Sequence, residues 1–188
     1  MSHRERERLV EATRGLAYAV AVTDVAPEEL DRVAQALTLL TRILGKQAGT
    51  RCVPLPVTET VGVPRVLLDR FNPVHVPLEV SFPDDGGAEA AVVMNALYEG
   101  PTDSVHGGIS ALLMDNLLGI LVQSKGLLCV TGTLTVRYLA RTPLNRPLRL
   151  RSELVERSGR KVTVTGWIAC DGVRTVEADA VFIEVPHR

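Results

Sequence analysis

Residues 105–122 constrain the fold of this chain more than any other part of it. His106, Gly107 and Gly108 lead into a run in which Ile109, Leu112, Leu113, Met114, Leu117, Leu118, Ile120 and Leu121 leave almost no polar face. The pattern predicts a glycine-led turn followed by a helix that is apolar nearly all round, so it belongs inside a core rather than on a surface. It falls short of the ~20 apolar residues that a membrane span needs. Its one charge is Asp115. A lone carboxylate on such a helix is costly unless it is paired or hydrogen-bonded, and that cost marks it as a candidate for function. The plain alternative is a core aspartate satisfied by serine or threonine hydroxyls.

The turn adds a second candidate. Gly107 and Gly108 have no side chains, so a ligand can come close to their backbone N–H groups. Those groups sit at the start of a helix, where unpaired donors and the positive end of the dipole favour an anion or oxyanion. Asp115 follows Gly107 by eight residues, which is about 12 Å along a helix axis. One chain is therefore not expected to bring both to the same carbonyl. Two antiparallel copies of the helix can, each lending its Gly107 amide to the other's Asp115. The expectation is a symmetric dimer with two composite sites.

These residues resemble a known family. His106-Gly107-Gly108 with Asp115, preceded by Tyr98-Glu99-Gly100-Pro101 and followed by Thr131, is similar to the motif of hotdog-fold acyl-CoA thioesterases. The likeness is greatest to the thioesterase-superfamily-member and phenylacetate-pathway types, and it covers about residues 72–186. The resemblance implies an α+β hotdog fold, an antiparallel sheet wrapped around one long central helix. It also implies a site between two subunits of a homodimer or dimer of dimers, an acyl-CoA substrate, and no metal or organic cofactor. By the same resemblance His106 supports the site rather than acting as the base, and Thr131 supplies a hydroxyl that assists the water or nucleophile. Some relatives place an asparagine six residues before the histidine as a second oxyanion donor. Here that position is Gly100, so a side-chain donor is missing.

The chemistry follows from the residue types. Thioester hydrolysis needs an oxygen nucleophile and a place for the oxyanion. Asp115 can activate water as a general base or attack directly to form an anhydride, and both remain open. The Gly107 amide is the candidate oxyanion donor, with Gly108 beside it. Coenzyme A carries phosphates, so Arg137, Arg141, Arg160 and Lys161 are candidates for substrate binding. Arg160 and Lys161 follow Ser158-Gly159 and resemble a Gly-Arg-Lys turn frequent in the family. Two competing readings are a hotdog module that binds acyl-CoA without hydrolysing it, and a dehydratase on the same fold. The dehydratase reading suffers because His106 lies at the turn rather than upstream of it.

Composition narrows the classes. A net charge of −1 argues against a nucleic-acid or membrane-surface partner. The three cysteines, Cys52, Cys129 and Cys170, are odd in number and far apart, which argues against a disulfide scaffold and for a reducing, cytoplasmic setting. The histidines at 3, 75, 106 and 187 have no metal-ligand spacing. No nucleotide-binding glycine loop and no serine nucleophile elbow is present.

Taken in order, residues 1–50 predict a helical extension. One helix runs over 4–20. A second starts at Pro27-Glu28-Glu29, carries Leu30, Val33, Leu37, Leu40 and Leu44 on one stripe, and stops at Gly45. Prolines make 51–73 a connector or lid without regular structure. The hotdog domain then occupies 74–188, with strands expected over 74–82, 88–98, 127–141, 148–156, 161–169 and 173–185. Asp171-Gly172 is a hairpin turn. In the strand at 127–141, Leu134, Val136 and Tyr138 share the face that covers the helix. Strict alternation puts Thr131 on the opposite face, away from Asp115. A bulge would return it.

Overall fold

The computed structural model describes residues 3–47, 49, 60–68 and 70–185. Helix α1 spans His3–Val22 and α2 spans Pro27–Gly45. Three short strands follow, β1 (Arg65–Leu68), β2 (Leu78–Ser81) and β3 (Ala88–Val93). A single 3-10 turn, Ala96–Tyr98, leads to the central helix α3 (Gly107–Ser124). Four long strands complete the chain: β4 (Cys129–Tyr138), β5 (Pro147–Ser158), β6 (Lys161–Cys170) and β7 (Val173–Glu184).

The strands form one antiparallel sheet in the order β1-β2-β3-β5-β6-β7-β4. This is an α+β hotdog fold. The sheet curls around α3, which touches β3, β4, β5, β6 and β7. Alternation explains the burial: Val162, Val164, Gly166 and Ile168 point inward on β6, and Val176, Ala178, Ala180 and Phe182 do so on β7. Leu113, Met114, Leu117, Leu118 and Leu121 of α3 meet them and are wholly buried. A side chain at position 166 would lie 2.7 Å from Met114 Cε, so the glycine lets the helix settle on the sheet. Asp171 and Gly172 both have positive φ, +49° and +81°, as the β6–β7 hairpin requires.

Two expectations need correction. The connector contains strand β1, because Arg65-Val66-Leu67-Leu68 fits between Pro64 and Pro73 and needs only one neighbour, β2. Residues 50–59, the bulk of the expected lid, lie outside the described residues. The central helix is also not enclosed all round. Leu112, Asp115, Asn116 and Gly119 are only half-buried, because the sheet covers one side of α3 and leaves the other open. By length and composition α3 passes as a membrane span, yet eight of its residues are buried within the protein.

The N-terminal helices behave unequally. Helix α1 lies against the 3-10 turn, buries Val10, and ties down the segment before β2 through Arg14, whose guanidinium donates to the Asn72 carbonyl at 2.7 Å. Helix α2 buries no residue.

Candidate active site

The turn into α3 is fixed by backbone bonds from both sides. The His106 N–H donates to the Tyr98 carbonyl at 2.9 Å, and the Val105 N–H donates to the Thr142 carbonyl at 2.8 Å. Thr142 is itself buried and bonded through its hydroxyl to Thr175 of β7 at 2.8 Å. His106 is the N-cap of α3. Its Nδ1 accepts from the Gly108 N–H at 3.0 Å, so the cap is satisfied. This corrects the pairing of Gly107 with Gly108 as ligand donors. The Gly108 amide is already used, and only the Gly107 N–H has no partner among the described residues. It is a single open donor at the positive end of an 18-residue helix.

Asp115 sits two turns further on, half-buried on the side of α3 that the sheet leaves open. The Thr131 hydroxyl donates to its Oδ1 at 2.9 Å. The register of β4 against β7 shifts between Thr131 and Thr133. That bulge turns Thr131 to the helix face while Leu134 and Val136 keep the same face further along. Gly132 makes the bulge possible: a Cβ there would lie 2.9 Å from Ile183 Cγ1 and 3.2 Å from the Val181 carbonyl. Asp115 Oδ2 has no hydrogen bond among the described residues.

Strand β4 runs antiparallel to α3, so its far end meets the turn. Tyr138, its last residue, donates its hydroxyl to the Gly107 carbonyl at 2.8 Å. Its ring covers the glycine so closely that a Cβ on Gly107 would lie 3.3 Å from it. By alternation alone Tyr138 belongs to the apolar face of its strand. No local signal links it to Gly107, because the contact joins residues 31 positions apart. Burial pushes the Tyr98 phenol above its ordinary value. Position 100 has no room for a donor, since a Cβ there would lie 2.7 Å from His106 Cα.

The basic candidates are spread out. Arg137 is on the outer face of the sheet, paired with Asp179 at 2.8 Å and Glu177 at 3.3 Å. Arg141 is exposed beyond the end of β4. Arg160 stands in the β5–β6 turn and Lys161 begins β6, both exposed, and Arg160 Nε donates to the Glu184 carbonyl at 3.0 Å. Lys161, Ile183 and Val130 pair across one row, next to the row of Thr131 and Phe182. That turn therefore shares an end of the sheet with Asp115, and Gly107 lies at the opposite end.

A family model, the Thioesterase superfamily, matches residues 103–177. A thioesterase superfamily protein of known crystal structure is 31% identical, with a TM-score of 0.82, over 95% of this chain and 94% of that one. This chain belongs to the thioesterase superfamily. The superfamily protein's match takes in nearly the whole chain, so it extends past the sheet-wrapped helix into the N-terminal helices. Two other structures share the fold at lower identity. One is a hypothetical thioesterase from Streptococcus pneumoniae TIGR4 solved with coenzyme A, at 22% identity and a TM-score of 0.55, over 59% of this chain and 90% of that one. The other is smu.793 from Streptococcus mutans UA159 bound to acetyl CoA, at 17% identity and a TM-score of 0.57, over 61% and 94%.

Proposed function

We propose that the protein hydrolyses an acyl-CoA thioester to the free acid and coenzyme A, in sites shared by two copies of the chain. The observation that carries this reading is the pair of unused groups on α3, the Gly107 N–H and the second oxygen of Asp115. They are about 12 Å apart along one helix, too far to serve one carbonyl. The half-open side of α3 and the unpaired edge of β4 supply a surface on which a second copy brings them together. The coenzyme A and acetyl CoA held by the two streptococcal proteins support this ligand class.

In this mechanism the thioester carbonyl lies against the partner subunit's Gly107 N–H. Asp115, oriented by Thr131, takes a proton from a water that attacks the carbonyl carbon. The oxyanion gathers on the amide, the C–S bond breaks, and the departing thiolate recovers the proton. The same geometry allows Asp115 to attack the carbonyl itself, giving an anhydride that water then opens. Arg160 and Lys161 stand at the Asp115 end, where the phosphates of the cofactor tail can reach them.

A panel of acyl-CoA esters, short, long and aromatic, assayed by free-thiol release tests the activity. Asp115→Ala is expected to lower turnover by roughly 10²–10⁴-fold with the fold intact. Gly107→Pro removes the donor at a first helical position, and His106 already has the extended backbone that precedes a proline (φ −58°, ψ 133°); its Cβ meets the exposed Tyr138 ring at 3.3 Å, so that ring has to give way slightly. Each variant alone is inactive. Random pairing of the two variants restores about a quarter of wild-type activity, because half of the dimers are mixed and each has one intact site. No thiol release across the panel, with intact acyl-CoA recovered from the bound fraction, would favour the binding module instead.

A further inference from the structure

We infer that Tyr138 is a positioning residue for the Gly107 oxyanion donor, so that the hydroxyl at the end of β4 sets the strength of the site at the start of α3. The inference rests on the function proposed above.

The 107–108 peptide is held at both ends. Its carbonyl accepts from the Tyr138 hydroxyl at 2.8 Å, and its N–H donates to His106 Nδ1 at 3.0 Å. A peptide unit is planar, so two bonds on opposite edges fix its orientation. The neighbouring 106–107 peptide, which carries the open N–H, is held on its carbonyl side by the Ile109 and Ser110 amides at 2.9 and 3.1 Å, and the clamp on the next peptide limits how far the two can swing against each other about Gly107. Glycine would otherwise permit that swing, having no Cβ to restrict φ and ψ. Tyr138 offsets this looseness in two ways. Its ring occupies the space beside Gly107 where a side chain would stand, and its hydroxyl locks the carbonyl.

Both partners of the clamp are themselves anchored. Tyr138 pairs with Val176 on β7, and the next two amides, Leu139 and Ala140, both donate to the Thr175 carbonyl. The turn is held by the bonds of Val105 to Thr142 and His106 to Tyr98. An oxyanion donor acts through preorganisation: it must already point at the place where charge will develop. A donor that wanders loses rate without losing substrate affinity. In the single chain more than half of Tyr138 is exposed, so its hydroxyl is not required to satisfy a group of the core. Its bond to Gly107 is a matter of geometry at the site rather than of core stability.

Tyr138→Phe keeps the ring over Gly107 and deletes only the O–H. Two readouts are taken on the full-length protein. In turnover of an acyl-CoA that wild type hydrolyses, kcat is expected to fall about tenfold while KM stays within about twofold, as for a mis-set donor. In amide hydrogen exchange followed by NMR, the Gly108 amide, which is bonded to His106 Nδ1, is expected to exchange severalfold faster, with Leu117 and Leu118 unchanged. Unaltered kcat, or unaltered exchange at Gly108, overturns the inference. So does slowed turnover accompanied by faster exchange along the whole of α3, which signals general loosening. If wild type releases no thiol from any ester, the proposed function fails, and the exchange data still decide whether the clamp exists.

Discussion

Helices α2 and α3 are nearly equal in length and both carry leucine-rich faces, yet they stand in opposite environments. Eight residues of α3 are buried and none of α2 is. Leu39, Leu40, Ile43 and Leu44 of α2 are each more than half exposed, whereas Leu113, Leu117, Leu118 and Leu121 of α3 are sealed under the sheet. Both segments announce a helix, α2 by an apolar stripe and α3 by a surface that is apolar nearly all round. Neither announces what the helix packs on. That depends on the strands, and only α3 has five of them around it. An apolar stripe stabilises a fold only in proportion to the surface it removes from water.

The comparison is sharpened first by Leu117→Ala, the largest expected effect. It removes a wholly buried side chain from the centre of the core, and a loss of about 3 kcal/mol in urea unfolding is anticipated. The open side of α3 comes next. Thr131→Val deletes the hydroxyl bonded to Asp115 in a position already exposed to solvent, so thioester turnover should drop about tenfold, ~1.4 kcal/mol in the barrier, with the urea midpoint nearly unchanged. Leu40→Ala on α2 is expected to change stability by less than about 0.5 kcal/mol, as for a surface site. A loss as large as that of Leu117→Ala would mean that α2 is covered in solution.

The smallest effect lies on the outer surface of the sheet, at the β2–β3 turn. There the Arg151 guanidinium, together with the Gly87 N–H, holds the Asp85 carboxyl below its ordinary value. The folded state thus binds this proton more weakly than the unfolded chain does. The contribution is complete above the unfolded value near ~4 and disappears as pH falls through the lower folded one. Urea unfolding of wild type and Asp85→Asn across that acid range should show a modest gap that closes toward the acid end. A gap of constant size would remove the ion pair as its cause.

Much of this architecture was legible beforehand, for reasons that are local. The central helix is written in its own composition, and the β6–β7 hairpin in Asp171-Gly172. Thr131 cannot face Asp115 on a regularly alternating strand, so either a bulge or an irregular strand start is needed there, and the register shift at Gly132 shows that it is a bulge. What escaped depends on distant partners. Strand β1 is four residues between prolines and exists because β2 offers it an edge. Tyr138 reads as one more strand residue until the chain has folded back along α3. One further contact is local: a capping role is open to a histidine at position 106 from the residues alone, but that its ring takes the Gly108 amide depends on the ring's orientation, which no spacing reveals.

Gly100 has a consequence for how this scaffold can change. Its missing side chain leaves the backbone free to press against His106, where even a methyl group would collide. Grafting an asparagine amide onto that spot, as some relatives have, is therefore not one substitution away. The loop would have to be rebuilt together with the turn it braces. Any variant selected for the activity proposed above is thus steered toward positions other than 100.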